Sequence, residues 1–83
     1  MTVSERARLI ALLQSARPMR LFRNCRYLSR TAMDEILALT ADPSDDVVAA
    51  VGEAARGAKQ TPLMDGRRLQ SAQIDELLAR LGA

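Results

Sequence analysis

The sequence predicts an all-α fold, in which a compact bundle of four to five short helices forms one domain spanning residues 1–83. A chain of 83 residues suffices for one small domain. Apolar residues make up 48% of the chain and aromatic residues only 2%, so the core must be built from aliphatic side chains and methionine. Such cores are typical of helix-on-helix packing, whereas β-sandwiches and barrels favour β-branched and aromatic residues. The apolar residues also recur at helical spacing along most of the chain.

The first predicted helix covers residues 3–16. Thr2 and Glu5 stand three positions apart, as in a capping box, where each side chain bonds to the other residue's backbone N–H group. The helix ends before Pro18, because proline disfavours the helical conformation in the residue that precedes it. The stripe that would face the core contains Leu9, Leu12, Leu13 and Ala16.

A second helix is predicted over residues 18–29, since proline is accepted in the first turn of a helix. A short strand is the competing interpretation of this segment. The apolar residues at positions 19, 21 and 22 do not alternate as a half-buried strand requires, which favours the helix. The stripe of this helix that would face the core contains Leu21, Phe22, Cys25 and Leu28.

Two further helices are predicted in the middle of the chain. Thr31 is expected to cap the third helix, because its hydroxyl can accept a bond from a free N–H group of the first turn. Asp42 is expected to cap the fourth helix, with Pro43 as its first residue. The fourth helix would end near Arg56, just before Gly57.

A loop is predicted after the fourth helix, with a small hairpin or turn at 63–69, because Asp65-Gly66 suits a tight type I′ turn. Ser71 is predicted to cap the last helix, which is expected to end at Gly82. No internal repeat is evident in the sequence. The apolar stripe of the last helix has the clearest helical spacing in the chain and contains Ile74, Leu77, Leu78 and Leu81.

The net charge of +2 conceals a strong segregation of charge along the chain. Residues 1–30 contain seven arginines and one acid, whereas residues 31–55 contain six acids and no base. If the second segment is helical, four of these arginines lie within an arc of about 120° on one face. This cationic face and its neighbours form the predicted binding surface, which contains Arg17, Arg20, Arg23, Arg26, Tyr27 and Arg30.

The residue inventory argues against an enzyme. The chain has no histidine, which is the commonest general base and metal ligand. Its one cysteine lies in a predicted apolar stripe, and a single cysteine cannot form a zinc site. The adjacent acids at 45–46 and 75–76 would point about 100° apart on a helix and would not converge on one ion. We therefore predict no catalytic residue, no cofactor and no bound metal.

The function predicted from these features is that of a small helical binding module, such as an adaptor, chaperone or regulator. The cationic face at 17–30 would contact a protein partner or the acidic segment of a second copy of the chain. No apolar run reaches the roughly 18 residues of a membrane span, and no signal peptide is evident. We therefore expect a cytoplasmic protein with neither a membrane nor a small-molecule substrate as its target.

A nucleic-acid-binding regulator is the alternative function. The same arginine face could contact phosphates, and Tyr27 could stack on a base. The helix pair over 31–56 is a poor helix-turn-helix, because its second helix begins with Ser44-Asp45-Asp46 and its carboxylates would meet the phosphates. Nucleic acid would therefore bind the second predicted helix.

Overall fold

The computed structural model describes residues 1–83 and shows a mixed α/β fold rather than the predicted all-α bundle. Four helices accompany a four-stranded sheet, so the all-α prediction is wrong. In chain order the elements are α1 (Val3–Gln14), β1 (Arg17–Pro18), β2 (Cys25–Leu28), α2 (Arg30–Leu39), α3 (Asp46–Gly57), β3 (Lys59–Gln60), β4 (Arg67–Gln70) and α4 (Ser71–Leu81). The strands pair in the order β1-β2-β4-β3, and every neighbouring pair is antiparallel.

The segment predicted as the second helix is a hairpin formed by β1 and β2. Leu21 and Phe22 lie in the loop between the strands, and Leu21 is 90% exposed. The supposed apolar stripe therefore combined two loop residues with two strand residues that only mimic helical spacing. Within β2, successive side chains alternate between the faces of the sheet, and only Leu28 is fully buried. Pro18 is tolerated because β1 is an edge strand.

The segment predicted as a loop contains a second hairpin, formed by β3 and β4. Its strands are joined by a loop of residues 61–66. This loop is longer than the tight two-residue turn at Asp65-Gly66 that was predicted within 63–69. Asp65 and Gly66 lie directly before β4 rather than at the tip. The Thr61 N–H group donates to the Gly66 carbonyl oxygen at 3.4 Å and closes the base of the loop.

The other helices occur near their predicted positions. The capping box of α1 is confirmed, with reciprocal bonds of 3.1 and 3.0 Å. Ser29 caps α2 in place of Thr31, and Asp45 caps α3 in place of Asp42. Ser71 does not cap the last helix but is its first residue, and Gln70 precedes it without a side-chain capping bond. The last helix ends at Gly82, whose φ of 90° is the left-handed conformation that glycine adopts without steric cost. None of the four helices combines the length and the apolar character that crossing a membrane requires.

One hydrophobic core joins the helices to one face of the sheet. Leu28 of β2 and Leu69 of β4 point to that face and pack among the helical side chains. In the helical layer α1 contacts α2 and α4, and α3 contacts the same two helices. The most deeply buried apolar side chains are Leu9, Leu13, Leu28, Ile36, Val48, Val51 and Ile74.

The fold is an internal duplication. The order helix, strand, strand, helix occurs first as α1-β1-β2-α2 and again as α3-β3-β4-α4. Adding 42 to the positions of β1 gives β3, and adding 41 to their partners in β2 gives β4. The pair Arg17↔Tyr27 of the first hairpin thus becomes the pair Lys59↔Arg68 of the second.

The central ladder between β2 and β4 obeys the same exchange. Exchanging the two halves turns the pair Arg26↔Leu69 into the pair Leu28↔Arg67, which is also present in the ladder. An approximate two-fold axis therefore passes through the sheet between β2 and β4. Each position in one half has an equivalent in the other, and this equivalence extends to the surface described below.

The sequence carries a trace of this duplication that the sequence analysis missed. Residues 33–38 of α2 read MDEILA and residues 74–79 of α4 read IDELLA, so four of six positions are identical and the other two remain apolar. No single offset aligns both halves, because the first hairpin has one residue more between its last paired positions, 18 and 26, than the second has between 60 and 67. The helices α1 and α3 share only their apolar spacing.

Candidate binding surface on the open face of the sheet

The sheet has one face against the helical core and one face without helices, which we call the open face. Tyr27 and Arg68 alternate with the buried Leu28 and Leu69 and therefore point to the open face. Directly opposite residues of an antiparallel pair share a face. The pairing therefore aligns one residue from each strand across the open face, in the order Arg17, Tyr27, Arg68 and Lys59.

We call these four residues the basic row, because three of them are cationic. Adjacent strands lie about 4.8 Å apart, so the row crosses three spacings and is about 14 Å long. Arg17 and Lys59 are exposed at its two ends, and Tyr27 and Arg68 are half-buried at its centre. The two central residues are equivalent under the internal two-fold axis, as are the two end residues.

Tyr27 fastens the second loop, residues 61–66, to the open face. Its hydroxyl donates to Asp65 Oδ1 at 3.0 Å and accepts from the Gly66 N–H group, also at 3.0 Å. Partial burial, together with the bond to the Asp65 carboxylate, raises the pKa of the Tyr27 hydroxyl above its ordinary value. The hydroxyl therefore stays protonated and continues to donate at neutral pH.

Arg68, the equivalent of Tyr27, holds the first loop, residues 19–24. Its guanidinium carbon lies 3.9 Å from the centre of the Phe22 ring, which is within the range of a cation–π contact. Arg68 Nη1 also donates to the Gln60 carbonyl oxygen at 2.7 Å. Each central residue of the basic row thus fixes the loop of the opposite hairpin over the open face.

The tips of both loops expose a leucine. Leu21 and Leu63 are each the third residue after the first strand of their hairpin, and both are almost fully exposed. Leu63 also has a φ of 64°, a left-handed conformation that costs a residue with a side chain about 1–2 kcal/mol. Exposed large apolar side chains that border one concavity are typical of contact sites.

The second loop also contains a buried polar atom that has no hydrogen-bond partner. Thr61 is 3% exposed, and its side-chain oxygen accepts and donates no hydrogen bond. A buried hydroxyl without a partner costs about 1–3 kcal/mol. The second loop therefore combines a strained backbone, an exposed leucine and an unsatisfied hydroxyl, none of which stabilises the fold.

A groove of about 920 Å³, the first groove, lies between β1 and the two loops. Its lining is rich in apolar residues, and Arg17 and Arg20 stand beside them. The apolar lining residues are Pro18, Met19, Leu21, Phe22, Pro62, Leu63 and Met64.

A second groove of about 740 Å³ lies at the opposite end of the basic row. Lys59 and Arg68 line it together with Cys25, and Phe22 lines both grooves. Four of its residues, Gly57, Lys59, Arg68 and Gln70, are equivalent to Ser15, Arg17, Tyr27 and Ser29 at the first groove. The two grooves therefore correspond in part under the internal two-fold axis, and the second groove differs by its lining from α4, which includes Glu76.

The charges are divided between the two layers. The hairpins, residues 17–28 and 59–70, contain seven bases and one acid, whereas the rest of the chain contains five bases and nine acids. Two bases of α1 are already paired with acids of the helical layer. Arg6 lies 3.1 Å from Asp45, and Arg8 donates to Glu35 at 2.8 Å. The excess of positive charge is therefore concentrated on the sheet and its loops.

The structure distributes the predicted binding residues over both sides of the sheet. Arg17, Arg20 and Tyr27 lie together at the first groove, and Arg23 is exposed in the first loop. The prediction that the arginines share one helical face is wrong, because no helix is present there. The two others lie elsewhere and are paired: Arg26 points towards α4, 2.9 Å from Asp75, and Arg30 begins α2, 3.9 Å from Asp34.

Sequence reasoning missed Lys59 and Arg68, which supply half of the basic row. Their signal was the internal repeat, in which Arg67-Arg68 corresponds to Arg26-Tyr27. No three acidic or cysteine side chains lie close enough together to hold a metal ion. No known protein family, curated protein or solved structure matches the chain.

Proposed function

We propose that this protein is a binding module that docks an acidic, apolar segment of a protein partner on the open face of its sheet. The observation that supports this most strongly is the pair of equivalent exposed leucines, Leu21 and Leu63. They border an apolar groove within a layer that carries seven bases and one acid. An adaptor, chaperone or regulator would use such a surface.

The apolar part of the surface would supply most of the affinity. Burying a leucine side chain stabilises a complex by about 1.5–3 kcal/mol. Leu63 is fully exposed and has a strained backbone conformation. A contact with a partner gives this conformation a role that the isolated fold does not.

The charged part of the surface would select the partner and orient it. Arg17 and Arg20 line the first groove and form no ion pair within the chain. Complementary charge accelerates association and excludes partners of like charge, whereas exposed ion pairs add little to affinity. A segment that carries carboxylates beside large apolar side chains fits both parts of the surface.

A single-stranded nucleic acid is the second candidate, favoured by the position of Phe22 and Tyr27. Both aromatic residues of the chain lie beside arginines on the open face instead of in the core. Aromatic rings among bases are typical of single-strand binding. However, Arg68 already covers the ring of Phe22, and the exposed leucines would face phosphates to which they contribute nothing. We therefore rank this candidate second.

Fluorescence anisotropy with three labelled probes tests the proposal. The probes are a peptide of about ten residues made of glutamate and leucine, a matched peptide of lysine and leucine, and an oligothymidylate of similar length. We expect the acidic peptide to bind and the basic peptide to fail. If the oligonucleotide binds best, with log affinity falling by about 0.7 per phosphate for each unit of log salt, the second candidate is correct.

Charge-reversal variants test whether the acidic peptide binds at the first groove. Replacing Arg17 and Arg20 by glutamate should lower the affinity for the acidic peptide by about ten-fold or more, because two attractive contacts become repulsive. The matched control is the double variant Arg56→Glu and Arg80→Glu, which makes the same change in charge at exposed positions of α3 and α4, outside both grooves. Equal losses in both variants, or no binding of the acidic peptide to the wild type, would overturn the proposal.

A further inference from the structure

We infer that one partner segment occupies both grooves and crosses the sheet along the basic row from β1 to β3. This inference rests on the proposed function and extends it by giving the path and the length of the bound segment. The occupant has the chemistry proposed above, with carboxylates beside large apolar side chains. The acidic character follows from the two cations at the ends of the row, Arg17 and Lys59.

The two grooves are continuous across the open face. Phe22 lines both of them, so the two grooves adjoin at its side chain. The central residues Tyr27 and Arg68 connect them along the surface, since the strands that carry them are directly paired. A segment that enters the first groove can therefore continue over the open face to the second groove, which extends to Ala72, Gln73 and Glu76 in α4.

The second groove is also predominantly basic, because Lys59 and Arg68 line it together with a single acid, Glu76 of α4. The internal two-fold axis relates Lys59 to Arg17, so a cation stands at the outer end of each groove. Arg68 uses one of its N–H groups on the Gln60 carbonyl, and a guanidinium has five N–H donors. It can therefore donate hydrogen bonds to a carboxylate of the partner while it continues to contact Phe22.

The dimensions set the length of the segment. The row spans about 14 Å, which an extended chain crosses in about four to five residues at about 3.3 Å per residue. With its ends in the two grooves, the segment needs about eight to ten residues. An acid that faces Arg17 and an acid that faces Lys59 would stand about four positions apart.

Alkylation of Cys25 tests this path directly. Cys25 is the only cysteine of the chain, is half-exposed, and lines the second groove but not the first. We expect saturating glutamate–leucine peptide of about ten residues to slow its reaction with iodoacetamide several-fold. A peptide of about four residues, too short to occupy both grooves, should bind more weakly and slow the reaction less at the same concentration.

A charge reversal at the far end supplies the second measurement. Lys59→Glu should lower the affinity for the ten-residue peptide by about two- to five-fold, which corresponds to the energy of one exposed ion pair. Arg80→Glu should leave this affinity unchanged. Titration calorimetry should give one peptide per chain. The inference would be overturned if two peptides bound per chain, if the peptide did not protect Cys25, or if Lys59→Glu left the affinity unchanged. If the wild type binds and Arg17 and Arg20 matter, the proposed function survives that failure; if nothing binds, the proposed function itself fails.

Discussion

Replacing Gly66 by alanine should destabilise the protein through a clash that no side-chain movement relieves. A methyl group at position 66 would lie 2.5 Å from the Tyr27 hydroxyl oxygen and 2.6 Å from its ring carbon Cζ, and it would collide with the Leu28 carbonyl oxygen. The carbonyl is backbone at the end of the β2-β4 ladder, where Leu28 faces Arg67. Tyr27 can move only by releasing the second loop.

The expected cost follows from these contacts. Overpacking a tight site costs about 1–3 kcal/mol. Loss of the two hydrogen bonds of the Tyr27 hydroxyl, to Asp65 and from Gly66, adds about 0.5–1.5 kcal/mol each. We expect Gly66→Ala to lower the free energy of unfolding by about 2–6 kcal/mol, out of the roughly 4–12 kcal/mol typical of a chain of this length.

Urea denaturation followed by circular dichroism measures this effect as a fall in the midpoint at constant slope. The matched control is Gly57→Ala at the end of α3, where a methyl group would meet no atom within 4 Å. Alanine loses less conformational entropy than glycine, so this control should stabilise the protein by about 0.5–1 kcal/mol. If Gly66→Ala were as stable as the wild type, the second loop would not be seated on Tyr27, and the first groove would not have its described shape.

Three further changes test other parts of the structure. Leu63→Gly should leave the unfolding midpoint unchanged or raise it, because glycine adopts the φ of 64° freely. The same variant should have a lower affinity for the acidic peptide in anisotropy. A loss of stability would show that the Leu63 side chain is packed. Leu28→Ala should cost about 2–5 kcal/mol in urea, because the side chain is 1% exposed, and a negligible shift would mean that the sheet is not docked on the helices. The Val48 N–H group, and secondarily Arg6, hold the pKa of the Asp45 carboxyl below its ordinary value, so its contribution to stability is present above about pH 4 and lost as the pH falls through the lowered pKa. Asp45→Asn should therefore lose less stability on acidification than the wild type, and equal losses on thermal unfolding would contradict this.

The helical layer could be predicted from the sequence because its signals are local. Capping residues, proline positions and the 3.6-residue period act within one or two turns, and they located four of the helices to within a few residues. The hairpins failed because β1 and β3 have two residues each and offer no periodicity. Their pairing depends on β2 meeting β4 across some forty residues of chain, and no local pattern contains that information.

The candidate binding surface could be predicted only in part for the same reason. The arginine cluster at 17–26 was visible as composition, but a helix would place Arg26 beside Arg23, whereas the alternation of a strand turns it towards Asp75. Lys59 and Arg68 join Arg17 only through strand pairing. The duplication offered a route to this arrangement, because equivalent positions in the two halves had to form equivalent grooves.

Chemical-shift mapping tests most directly whether the open face is the binding surface. Backbone amide spectra of the labelled protein would be recorded during titration with the glutamate–leucine peptide. We expect the shifts to concentrate in residues 17–27 and 59–70, with Leu21, Leu63 and Arg68 among the largest, and to leave the exposed side of α2 and α3 unchanged. Shifts confined to α2 and α3, or none at saturating peptide, would contradict the account.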